Sequence, residues 1–99
     1  MNAPFDTLVV DVTNERLRGS QAFDYLEELD GVPARAIVLQ LHNVHDDVLP
    51  RVAAFMKYLG TRRSVAVCGI RAGQATVLKS LGIEPSDVLI GKWPRTLPS

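Results

Sequence analysis

Cysteine occurs once in this 99-residue chain, at Cys68. One thiol forms no internal disulfide and no multi-cysteine metal site, and it fits a reducing compartment. Charge of one sign is also missing: 11 Lys and Arg balance 11 Asp and Glu, for a formal net charge of zero. Without a basic excess the chain lacks the electrostatic footprint of a nucleic-acid binder or a polybasic membrane anchor. No apolar run is long enough to span a membrane, and Met1 to Asp6 has neither the basic nor the apolar stretch of a secretory signal. The expectation is a cytoplasmic protein with no membrane insertion and no nucleic-acid partner. What the chain does have is a globular composition, with 46% hydrophobic residues. Its length suits one domain over 1–99, with a core over 7–90 and a tail over 91–99.

Strand and helix patterns alternate. Thr7 to Val12 is a β-branched run that predicts a first strand. Thr13, Asn14 and Glu15 read as a turn, and Arg16, Leu17 and Arg18 as a short strand returning in a hairpin. Gly19 and Ser20 offer a bend and an N-cap for a helix over Ser20 to Asp30, with Ala22, Phe23, Leu26 and Leu29 on its apolar face. Gly31 and Pro33 stop that helix. Ala36 to Leu41 is almost continuously apolar, the pattern of a strand covered on both faces. Asp46 or Asp47 caps a second helix running to about Leu59, with Pro50 in its first turn and a stripe of Leu49, Val52, Phe55, Met56 and Leu59. Ser64 to Gly69 predicts a third strand, Arg71 to Leu81 a third helix, and Val88 to Ile90 a last short strand. The order implies an α/β fold: a four- or five-stranded mixed, largely parallel sheet with three main helices.

Three stretches carry a resemblance to the STAS family, the domain shared by sulphate transporters and anti-sigma-factor antagonists. Arg16 to Phe23 resembles the family's short strand leading through Gly-Ser into the first helix. Ala36 to Val44 resembles its central strand, and Val65 to Arg71 followed by Leu78 and Leu81 to Ile83 resembles its later strand, turn and third helix. The layout is also similar to that of the N-terminal domain of the cell-division inhibitor MinC. The STAS resemblance implies a regulatory module that binds another protein, such as a kinase-like or signalling partner. In anti-sigma antagonists a Ser or Thr after the central strand is phosphorylated to switch binding off. Here that loop reads Val44 to Pro50 without a hydroxyl, and Asp47 takes the place of the missing residue. One permanent carboxylate charge is a weak substitute for a phosphate group.

The candidate contact surface is the start of the second helix and its loop: His42, His45, Asp46, Asp47 and Leu49. Asp46 and Asp47 read first as a cap and dipole complement and also as a recognition point for a basic partner, and both roles can hold together. The two histidines and two aspartates are metal-ligand types, but no third distant His or Cys completes a set, so no metal and no cofactor are expected. Gly69, Arg71, Ala72 and Gly73 form a candidate anion site at a strand-to-helix turn. They lack the P-loop ending and the full dinucleotide fingerprint. Cys68 reads as a small hydrophobe or, beside Arg71, as a nucleophile. Arg62 and Arg63 with Lys57 read as a solvated basic edge. Trp93 reads as a packing residue or an interface anchor. No nucleophile–base pair stands out, so the chain is not expected to be an enzyme. Two other readings stay open: a small-ligand or anion-binding domain using the strand-end loops, and a homo-oligomeric structural subunit.

Overall fold

A computed structural model describes residues Thr7–Ile90. The strands are β1 (Thr7–Thr13), β2 (Ala36–His42), β3 (Ser64–Ile70) and β4 (Val88–Ile90). The helices are α1 (Asn14–Leu17, a single turn), α2 (Gln21–Asp30), α3 (Leu49–Leu59) and α4 (Ala72–Ser80). A 3-10 turn at Asp46–Val48 leads into α3, and another at Pro85–Asp87 precedes β4. The expected α/β class, with three main helices on a four-stranded sheet, is what forms. Trp93 and the tail lie outside the described residues.

The strands lie in chain order, β1-β2-β3-β4, and every pairing is parallel. The expected antiparallel component is absent from the described sheet. Residues 16–18 do not return as a hairpin strand: Asn14 to Leu17 turn once as a helix. That turn buries Leu17 in the core and aims the Asn14 Oδ1 at the His45 backbone N–H, 3.0 Å away. Extended backbone would send alternate side chains to opposite faces and lose one of these two anchors.

A sheet that always steps the same way, with right-handed crossovers, carries its helices on one face. Buried residues of α2, α3 and α4 accordingly share one cluster with Val12, Ile37, Leu39, Leu41, Val65 and Val67. The register sets Val10 beside Leu39 and Leu39 beside Val67 on that face. On the reverse face the same register aligns Val9, Val38 and Ala66, then Asp11, Gln40 and Cys68. β2 is buried on both faces as expected, with Leu39 1% and Val38 3% exposed, although the described helices all pack on one of them.

Periodicity located the helices well but misjudged one residue. Ala22, Leu26 and Leu29 are buried as expected, whereas Phe23 is 65% exposed. Its position lies about 100° around the helix from Ala22, on the edge of the stripe. The α3 stripe of Leu49, Val52, Phe55, Met56 and Leu59 is wholly buried. Ser20 precedes α2 but makes no side-chain cap bond. Helix α4 ends in a Schellman motif: Ile83 N–H donates to Leu78 O at 3.1 Å and Gly82 N–H to Lys79 O at 3.0 Å. Gly82 at φ +95° supplies the left-handed residue this motif needs.

Candidate functional site

Two elements that are far apart in sequence meet at the start of α3. Arg18 leaves the α1–α2 corner and places its Nη2 2.9 and 2.8 Å from the two Asp47 carboxylate oxygens. The same nitrogen donates to His45 Nδ1 at 3.2 Å, which puts the neutral imidazole's proton on Nε2. Arg51 closes the corner from the other side, donating to Leu17 O at 3.1 Å and Gly19 O at 2.6 Å. Asp46 turns away from this cluster and accepts from Gln74 Nε2 at 3.1 Å, tying the loop to α4. Neither aspartate makes a side-chain cap bond, and the residue before α3 is Val48. The capping reading is replaced by cross-element ion pairing and hydrogen bonding.

The sequence-based contact surface is thus partly assembled and partly broken up. His45 and Asp47 stand together and exposed around Arg18. Leu49 is fully buried and shapes that surface only from beneath. His42 lies apart at the end of β2, where its Nε2 is 3.0 Å from Asp11 Oδ1. Gln40 Nε2 donates to the same oxygen at 2.8 Å. The His42 hydrogen bond chiefly, opposed by desolvation and aided by the charge of His42 and the Gln40 bond, lowers the Asp11 pKa below its ordinary value.

Next to the Arg18–Asp47 pair runs an apolar groove of about 190 Å³ between α2 and α3. Its lining combines Ala22, Phe23 and Leu26 with Pro50, Ala54 and Phe55, and Arg51 sits at its end. The Arg51 guanidinium lies 5.9 Å from the Phe23 ring centroid, within cation–π range. Sequence reasoning missed this groove because it assigned Phe23 to the core. The stripe-edge position of Phe23 was the available signal.

The candidate anion site falls at the carboxyl ends of β2 and β3. A cavity of about 310 Å³ there is lined by Gln40, Leu41, His42, Asn43, Gly69, Ile70 and Arg71. Ala72 and Gly73 are not part of its lining. The Arg71 N–H donates to Gln74 Oε1 at 3.2 Å, so the residue expected to open an anion cradle is engaged within its own helix start. Gly69 has φ +82°, and a Cβ on it would collide with the Leu41 carbonyl oxygen. Its glycine serves a bulge in β3, where the β3–β4 register shifts between Val67 and Ile70, rather than a phosphate loop. Cys68 is buried within β3, with its Sγ 4.0 Å from Gln40 Oε1. Among the described residues no group of three or more His, Cys, Asp or Glu is placed to hold a metal ion.

Fold and site define a small, all-parallel α/β domain with its helices on one face and a polar-rimmed apolar groove between two of them. No family model, no curated protein and no solved structure matches the chain. Among the described residues no helix is long and apolar enough to cross a membrane.

Proposed function

We propose that this chain is a regulatory protein-binding module, STAS-like in character, whose contact face is the α2–α3 groove and the adjoining Arg18–Asp47 corner. One observation carries the reading: Phe23 is 65% exposed at the edge of an apolar groove that its own helix does not fill. Large aromatics at such positions serve as interface anchors. The corner supplies a polar rim, and polar rims surround apolar centres in protein interfaces.

The resemblance gives Asp47 the place of a phosphorylatable hydroxyl. Its carboxylate is already paired with Arg18. Binding at this face is therefore constitutive rather than switched by a phosphate at that residue. The single cysteine, Cys68, suits the reducing cytoplasm as this module's setting. A second reading rests on the cavity between β2 and β3: Arg71 and His42 at its rim suit a small anionic ligand. A rise in melting temperature with such a ligand, lost in Arg71→Ala, would favour it.

The test is affinity capture from native extract with the wild type, Phe23→Ser, Asp47→Lys and the remote control Thr76→Lys, each shown to be folded by circular dichroism. The expected result is a protein retained by the wild type and control and lost with Phe23→Ser. Retention that is indifferent to Phe23 would overturn the reading.

A further inference from the structure

We infer that the sheet face turned away from the helices is a docking surface for residues 91–99 of the same chain, with Trp93 seated over Cys68. The inference concerns the opposite side of the molecule from the α2–α3 groove and does not depend on how that groove is used.

Burial carries it. On this face Val38 is 3% exposed and Cys68 is 0% exposed. Neither belongs to the cluster in which the buried residues of α2, α3 and α4 meet. Their neighbours in the sheet are too small to close over them. Val38 stands beside Ala66 and two residues from Ala36, while Cys68 has Ala66 two residues before it and Gly69 next in the strand. A sheet face without a second layer stays in contact with water. Two central residues sealed this fully need such a layer, and among the described residues the helices supply it only to the other face.

The burial is lopsided, and its direction identifies the cover. On the β1 edge Val9 is 40% exposed and Asp11 is open to water. On the β4 edge Leu89 is half-buried. Leu89 shares this face because Val88 beside it packs against the helix-side core. The layer therefore lies over β2, β3 and β4 and stops short of β1. Two segments flank the described residues: 1–6 lead into β1, and 91–99 follow β4. The second begins at the covered edge.

Reach and composition agree with this assignment. Ile90 pairs with Ile70. From there Cys68 is one strand across and two residues back, about 8 Å away. The three residues from Ile90 to Trp93 span about 10 Å when extended. Trp93 is the only tryptophan of the chain. A ring of that kind covers about 150–250 Å², enough to seal a cysteine flanked by alanine and glycine. Pro94 and Pro98 lack the N–H of a ladder residue, so the segment cannot simply add a further paired strand and is suited to turning across the face.

The chain holds one thiol and one indole, so both partners report without labels. The first measurement is acrylamide quenching of Trp93 fluorescence in the native full chain and in urea. The expected result is quenching several-fold weaker in the native chain. The second is the rate at which Cys68 reacts with a water-soluble aromatic disulfide, in the wild type, Trp93→Ala, a chain of residues 1–90 and a chain of residues 7–99. Circular dichroism confirms that each is folded. The wild type and the 7–99 chain should react slowly, independently of protein concentration. Trp93→Ala and the 1–90 chain should react at least roughly tenfold faster, because the thiol is then open without global unfolding. Should the 1–90 chain fail to fold, Trp93→Ala and the quenching of the wild type still decide. Trp93 as accessible in the native chain as in urea, or a thiol equally shielded in Trp93→Ala, would overturn the inference. Shielding lost on removal of residues 1–6 would give the face to that segment instead, and shielding lost on dilution would give it to a second copy; either result also overturns it.

Discussion

Arg63→Met should cost the fold about 2–4 kcal/mol, while Arg62→Met costs less than about 0.5 kcal/mol. The two arginines are adjacent and both approach Asp30. Their surroundings differ completely: the Arg63 side chain is 6% exposed and that of Arg62 is 69% exposed. Arg63 donates to Val32 O at 2.9 Å, Asp30 O at 2.8 Å and Asp30 Oδ1 at 3.2 Å. It clamps the end of α2 to the segment leading into β3. Charge-assisted bonds of this kind are worth about 1.5–3 kcal/mol each when a partner is removed. Two relieving effects keep the total below the plain sum. The Arg63 Nε is buried without a partner, so its removal relieves a desolvation cost. Methionine also refills most of the apolar stem volume. The assay is urea unfolding followed by far-UV circular dichroism. A loss of about 2–4 kcal/mol lowers the midpoint by roughly 1–3 M at a typical urea slope. Arg63→Lys keeps the charge but not the fork, and should fall between wild type and Met. Equal effects at 62 and 63, or an Arg63→Met protein within about 0.5 kcal/mol of wild type, would refute the clamp.

Gly69→Ala should destabilise by about 2–4 kcal/mol, because a left-handed backbone and a collision with the Leu41 carbonyl act together. Gly73→Ala in the first turn of α4, where an added Cβ meets open space, should instead gain up to about 1 kcal/mol in the same urea assay. Leu49→Ala should cost about 3–5 kcal/mol by opening a core cavity, measured as a lowered melting temperature. Leu49→Met, which keeps the volume, should leave partner capture unchanged, whereas an effect on binding without loss of stability would place Leu49 back on the surface. The lowered Asp11 pKa favours the folded state above the ordinary Asp range, and this contribution disappears as pH falls through the folded-state value. Carboxyl NMR titration should place the Asp11 midpoint below that of an unperturbed Asp, and His42→Gln should move it back up.

Much of the fold was legible in local pattern. Runs of β-branched and apolar residues marked β1 and β3, the stripe from Leu49 to Leu59 marked α3, and Gly31, Gly60 and Gly82 stand at the C-terminal ends of α2, α3 and α4. These signals are local because helix and strand patterns are properties of neighbouring residues. The site was less legible. His45 and Asp47 were singled out for their charge, but Arg18, 29 residues from Asp47 in sequence, holds them. No spacing rule links residues that meet only when a loop folds back onto a helix start.

Chain order and periodicity were enough to set the class, the three main helices and all four strands, since each depends on a few consecutive side chains. Only the packed sheet decided the rest. Residues 14–17 became a helical turn because Leu17 had a core to enter and Asn14 a backbone N–H to meet. Phe23 stays exposed because α2 and α3 leave an open groove beside it instead of closing over it. Arg62 and Arg63 are equivalent in sequence, yet one reaches carbonyls closed off from water and the other does not. Burial depends on which distant segments come to lie alongside a residue, and that is settled when the strands pair.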